Sequence, residues 1–230
     1  MVTTATRFVN TLAYGKKGSM TERRSYNRAG ALKAKDWVEA ARAVMVEGGI
    51  EAVAVEPLAR RLGVTKGSFY WHFKDRRALL EATLERWEEE STEERIAASR
   101  RISDPRERLI RLGEEVFGDA PLDGAASGQR IFPRHAFELA VSDAAEDPVV
   151  RPVLRRVTQH RIGYLEECYR ELGFSPEEAR HRALLVYAAH AGTLRLFRDA
   201  PDLVPRGEGY TSYWRHLLST LVPDDEADDP

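Results

Sequence analysis

Residues 55–73 constrain this chain more than any other stretch. Val55-Glu56-Pro57-Leu58-Ala59-Arg60-Arg61-Leu62 is a short amphipathic segment, and Gly63-Val64-Thr65-Lys66-Gly67-Ser68-Phe69-Tyr70-Trp71-His72-Phe73 follows it. Leu58, Ala59 and Leu62 recur at helical spacing and give the first segment one buried stripe. Pro57 fits a first helical turn, where its missing N–H has no partner to lose. Ala59 is small enough for a second helix to cross closely, and Gly63 stands where the chain must turn sharply. At about 100° per residue, Phe69 and Phe73 share the inward side of that second helix. Gly67, Ser68, Trp71 and His72 fall opposite, with Tyr70 on the shoulder. A solvated helix face ordinarily carries Glu, Lys and Gln. This one carries hydroxyl, imidazole and aromatic groups flanked by cations, which is the pattern of a helix–turn–helix that enters the DNA major groove.

Gly63 to Leu80, Gly-Val-Thr-Lys-Gly-Ser-Phe-Tyr-Trp-His-Phe-Lys-Asp-Arg-Arg-Ala-Leu-Leu, resembles the signature of tetracycline-repressor (TetR) family regulators. The likeness reaches back over Trp37 to Gly49. It covers a three-helix DNA-binding head and the start of a long fourth helix; beyond that only length and helical layout are similar. The resemblance implies that Thr65, Lys66, Gly67, Ser68, Tyr70, Trp71 and His72 touch bases or phosphates. It implies a phosphate-contacting tyrosine at Tyr70, a phosphate grip at Arg76 where the fourth helix begins, and a second such contact at Lys74. Ser68 can donate to a base edge or a phosphate, and Trp71 can pack on a thymine methyl. Glu56 departs from the pattern, standing where the family's founding member has a base-reading arginine. A carboxylate there suits a helix N-terminus but cannot grip phosphate, so the operator sequence does not transfer.

The net charge of −2 hides an asymmetry. Residues 1–80 hold 15 Lys/Arg against 7 Asp/Glu, while residues 81–230 hold 20 against 30. A basic head on an acidic body fits a DNA module joined to a module with other business. Cys168 is the single cysteine, so no internal disulfide forms, in keeping with a reducing cytoplasm. Tyr164, Leu165, Tyr169 and Leu172 surround it at helical spacing, which favours a buried structural thiol over a redox switch. Residues 1–30 lack an apolar core segment, so no secretory leader is expected. The most apolar run, Ala183–Leu194, is too short to span a bilayer. The sequence therefore points to a soluble, cytoplasmic protein without a membrane partner.

The expected fold is all-α: an N-terminal helix–turn–helix head of three helices, joined by a long helix to a C-terminal helical body for ligand binding and dimerisation. Residues 1–32 form an arm in which Arg23-Arg24 suits the minor groove, although a leader without fixed structure explains it as well. The head occupies 33–80, the body 81–222, and an acidic tail 223–230. Helices are expected over about 33–47, 55–62, 66–73, 75–101 without a break, 104–117, 129–142, 148–172, 176–198 and 208–221, with a Gly- and Ala-rich loop over 118–128.

The last two helices look built to pair. Leu185, Ala188, Ala189, Gly192 and Leu196 on one, with Tyr213, Trp214, Leu217 and Leu221 on the other, suit a four-helix bundle between two chains. The family resemblance implies such a homodimer, and with it a pseudo-palindromic double-stranded operator. It also implies a small-molecule effector held among the body helices. Phe132, His135, Phe137, Tyr164, Cys168, Tyr187, His190 and Arg195 are the candidate contacts, each equally at home in a core. Apolar walls with a few polar anchors suit a hydrophobic or aromatic effector.

Catalysis has little support. Glu178 and His181 share the Glu-x-x-His spacing of a di-iron ligand pair, but a helical metalloenzyme needs two such motifs. No His-x-x-x-His pair, phosphate loop, nucleophile elbow or dinucleotide fingerprint is present, and no cofactor or metal is called for. The competing non-enzymatic readings are a helical interaction protein and a non-specific DNA binder without a ligand response. Intact Lys66, Tyr70, Lys74 and Arg76 argue against a head that has lost DNA binding, and the resemblance implies a ligand-released, sequence-specific repressor.

Overall fold

A computed structural model describes residues 32–117, 133–205 and 207–222. The chain divides at Lys33/Ala34, and the unit beginning at Ala34 carries everything that follows. Its helices are α1 (Ala34–Gly48), α2 (Val55–Arg61), α3 (Lys66–Tyr70), α4 (Arg76–Glu88), α5 (Glu94–Ser99), α6 (Pro105–Phe117), α7 (Pro133–Asp143), α8 (Val150–Glu171), α9 (Pro176–Asp199) and α10 (Glu208–Leu221). A 3-10 turn (Ile50–Ala52) precedes α2, and a π-helical turn (Glu89–Glu93) joins α4 to α5. No strand occurs among the described residues. The all-α head-and-body architecture is the one expected. The arm, the 118–128 loop and the acidic tail lie outside the described residues.

The helix limits follow local chemistry. Asp75 caps α4 by accepting from the Ala78 N–H at 2.8 Å. Ser175 and Glu178 close a capping box at α9, with Pro176 in its first turn. Glu178 is thus spent on the cap, which accounts for it without a metal. Gly63 turns the chain between α2 and α3 at a φ of 68°, a left-handed conformation that a side chain would strain.

One apolar cluster runs through the head and into the body. Trp37, Phe69, Leu79, Leu80 and Leu84 join Trp87, Phe137, Val141, Val153 and Val157 in it. A second cluster, around Ile96, Leu109, Leu165, Cys168, Tyr169 and Ala183, fills the far half of the body. The head therefore has no closed core of its own at residue 80.

Two local features differ from expectation. The α-helix of the helix–turn–helix ends at Tyr70, with Trp71 and His72 in a turn. The fourth helix is interrupted: the Glu94 N–H donates to the Glu89 carbonyl, five residues back, marking one extra residue in the ladder. Like charges at Glu89/Glu93 and Glu90/Glu94 oppose a regular turn there. Arg161 Nη2 also draws on the Ser91 carbonyl at 3.3 Å, competing with the helical bond.

Candidate nucleic-acid interface and body cavity

Helix α3 is fixed from behind and open in front. Phe69 is fully buried and meets Trp37 edge to face at 5.3 Å between ring centres. Phe73 is buried beside it. On the outer side Tyr70 is 54% and Trp71 88% exposed, large aromatic areas left in water. Thr65, Lys66, Gly67, His72 and Lys74 are exposed as well, and Ser68 is half-buried. A Cβ placed on Gly67 would meet only Thr65 Oγ1, at an ordinary 3.7 Å. Nothing inside the chain requires glycine there.

The charges around this tip are partly committed. Lys66 Nζ donates to Glu56 Oε1 at 2.9 Å. This hydrogen bond holds the lysine above its usual pKa and the carboxyl below the usual carboxylate range. Both groups are exposed, so the pair is weak and a phosphate can displace the carboxylate. Glu56, a departure at the sequence level, thus faces the cation that the DNA would use. Arg76 is placed differently from its expected phosphate grip. Its Nε donates to the Val53 carbonyl at 2.6 Å and its Nη2 to the Ile50 carbonyl at 2.7 Å. It clamps the 3-10 turn that sets the angle of α2.

A cavity of about 120 Å³ lies among α5–α10. Ile96, Leu109, Leu165, Val186, Leu218 and Val222 give it apolar walls; Ser91, Thr92, His135, Glu138, Arg161 and His190 form a polar end. Arg161 Nη1 meets Glu138 Oε1 at 2.5 Å, Nε meets Thr92 Oγ1 at 3.0 Å, and the guanidinium lies 5.6 Å from the Trp87 ring centre. His190 Nε2 lies 3.3 Å from the same Glu138 oxygen. Burial pushes the Glu138 carboxyl up, but Arg161 and His190 outweigh it and hold the group well below the usual carboxylate range.

Of the residues expected to line a pocket, His135, Tyr164, Tyr187 and His190 do so. Phe137 and Cys168 belong instead to the two apolar clusters. Burial pushes the Cys168 thiol up, the opposite of an activated thiolate. Arg195 is exposed on α9, away from the cavity lining. Phe132 lies outside the described residues. Sequence reasoning missed Arg161 and Glu138. The signal was present, since Val157, Arg161 and Leu165 follow one α8 stripe at i, i+4 spacing and only the middle one is charged.

The family sequence model described as bacterial regulatory proteins, tetR family, matches residues 38–83. Residues 38–83, one fifth of the chain, are thus similar to the DNA-binding segment of TetR-family regulators. The HTH-type transcriptional regulator BetI of Yersinia pestis (strain Pestoides F) is 32% identical over 98 residues, 41% of this chain and 49% of BetI. The chain thus matches about half the length of these curated relatives. A transcriptional regulator from Rhodococcus sp. RHA1 shares the fold at a TM-score of 0.63, with 22% identity over 83% of this chain and 94% of that one. FadR from Bacillus subtilis, solved in complex with stearoyl-CoA, does so at 0.59, with 15% identity over 83% and 98%.

The residues expected at a dimer interface separate into two groups. Leu185, Ala188, Gly192 and Leu196 are exposed along one stripe of α9, with Ala189 half-buried beside them. Those of α10 turn inward, contrary to expectation. Leu217 and Leu221 line the cavity, and Leu221 is 7% exposed. Trp214 packs on Gly113 of α6, where an added Cβ would come within 3.2 Å of Trp214 and 2.8 Å of Leu218. Tyr213 approaches Thr193 at 3.3 Å. Leu217, Leu218 and Leu221 thus turn the apolar face of α10 towards the cavity within the same chain. Among the described residues no helix is long and apolar enough to cross a membrane.

Proposed function

We propose that this chain is a homodimeric, ligand-responsive transcription regulator that represses by occupying a pseudo-palindromic operator. One observation carries the reading: Tyr70 and Trp71 are exposed at the end of α3, whose neighbours Phe69 and Phe73 are locked into the core. A protein rarely leaves such a rigid aromatic tip in water without a partner. Beside it stand Lys66 and Lys74 for phosphates and Ser68 for a base edge. The exposed α9 stripe supplies the dimer contact, and the two-fold axis it implies sets two tips against two half-sites.

The cavity supplies the response. FadR's complex with stearoyl-CoA gives the shared fold a ligand-bound precedent. In this chain Arg161 reaches from the cavity to Ser91 and Thr92 of the π-helical turn. The neighbouring Glu90 pairs with Arg42 of α1 at 2.6 Å, and Arg42 lies over Phe137. A ligand that displaces Arg161 therefore acts on the turn linking body to head, and shifts the population towards a state with the wrong tip spacing. Such a regulator works in the cytoplasm, where its operator is.

Selection of bound sequences from a random DNA pool, at two salt concentrations, tests the reading. An enriched inverted repeat, with affinity falling steeply with salt, is expected. Weak salt-sensitive binding without a motif would reduce the head to a general DNA clamp.

A further inference from the structure

The polar end of the cavity is chemically one-sided. Arg161 is consumed by the fold: Nε donates to Thr92, Nη1 to Glu138, and Nη2 to Ser91 Oγ at 3.0 Å. Arg95 and His135, also on the wall, have interactions of their own. The cavity tyrosines are engaged too. Tyr164 donates to Ser99 Oγ at 2.8 Å, Tyr169 to the Leu221 carbonyl at 2.6 Å, and Tyr187 shares a hydrogen bond with Thr158 at 3.0 Å.

Glu138 differs. Both of its partners, Arg161 and His190, meet one oxygen, Oε1. Its second oxygen, Oε2, takes no hydrogen bond among the described residues, although the residue lines the cavity with its side chain only 14% exposed. An ionised carboxylate oxygen accepts through two lone pairs, and beside apolar walls an unmet one is costly.

We propose that the cavity takes an uncharged apolar molecule bearing a hydroxyl at one end, an alcohol or phenol, whose O–H donates to Glu138 Oε2. The proposal rests on the cavity being the effector site. The charge of the head follows from the neighbours. An ammonium would meet a carboxylate already neutralised by Arg161 at 2.5 Å, and so be repelled by that guanidinium. A carboxylate head would face Glu138 with Arg161 already spent. A molecule with no head would strip Oε2 of water and return nothing.

Four probes on one skeleton separate these cases: 4-phenylbutan-1-ol, butylbenzene, 4-phenylbutylammonium and 4-phenylbutyrate, titrated by calorimetry into the full chain and into Glu138→Gln. The alcohol is expected to bind about tenfold more tightly than butylbenzene, the scale of a hydrogen bond to a charged acceptor. Glu138→Gln keeps the shape but not the charge, and should shrink that ratio to about threefold, as for a neutral acceptor. Butylbenzene binding as tightly as the alcohol would overturn the proposal and leave the cavity as an effector site. Tighter binding of the ammonium or the carboxylate would also overturn it. No binding of any probe, by protein that still selects its inverted repeat, would sink both the proposal and the effector site while sparing the DNA reading. If Glu138→Gln does not fold, the ranking of the four probes on the unaltered chain decides alone.

Discussion

Single residues at the tip of α3 separate folding from function. Trp71 is almost wholly in water, so Trp71→Ala should move stability by no more than about 0.5 kcal/mol while changing the DNA sequence the protein prefers. Thermal melting and repeated pool selection check the two halves. Phe69→Ala, one position before Tyr70, should instead cost about 3–5 kcal/mol, because a fully buried aromatic leaves a cavity. Gly67→Ala probes close approach. The chain has room for the methyl and a helix gains by it, so the melting temperature should hold or rise while DNA affinity falls about tenfold or more, an expected loss of about 1.4 kcal/mol. Glu138 marks the acid limb of stability. Its folded pKa is depressed, so its contribution is complete above the ordinary value of 4.5 and fades as the pH falls below it. The melting temperature of the unaltered chain should drop more steeply below about pH 4.5 than that of Glu138→Gln.

Among the elements, the π-helical turn is the piece that decides coupling. It holds one residue more than a regular helix needs, and its Ser91 and Thr92 face Arg161 while its Glu90 faces the head. Deleting Glu89 should restore an α-helical ladder and leave a folded protein. DNA retention titrated against effector should then show release blunted or lost. Retained release would remove the turn from the coupling path. This element was also the least legible in the sequence. Periodicity gave the helices on either side because apolar residues recur there, but an inserted residue is stabilised by a distant arginine, and such a contact leaves no local trace. The helix–turn–helix was legible because every determinant lies within 20 residues: Gly63 for the turn, Phe69 and Phe73 for the buried face, the aromatic tip for the outer one. The intramolecular role of Arg76 was hidden for the opposite reason. A cation near DNA suggests phosphate, and only the folded path of Ile50–Val53 shows the two carbonyls that claim it.

At the scale of the whole molecule, the α9 stripe and the shared core set the behaviour. A Leu185→Glu, Leu196→Glu double substitution places charges on exposed positions and should leave the fold intact while yielding monomers with weakened operator binding. Sedimentation across a concentration series checks this, and an unchanged dimer would move the interface elsewhere. The inward packing of α10 was the least legible feature at this scale. Its apolar face is equally suited to a partner or to a neighbouring helix, and the close approach allowed by Gly113 chooses the neighbour. The core that joins Trp37 and Phe69 to Phe137, Val141 and Val157 has a further consequence. Although the proposed DNA-reading surface occupies a short contiguous stretch of chain, it is not a portable module. A chimera that grafts residues 34–80 onto a foreign body would sever that cluster, and the transplanted segment would inherit its letters but not its rigidity unless the new body supplied matching side chains beneath α1 and α4.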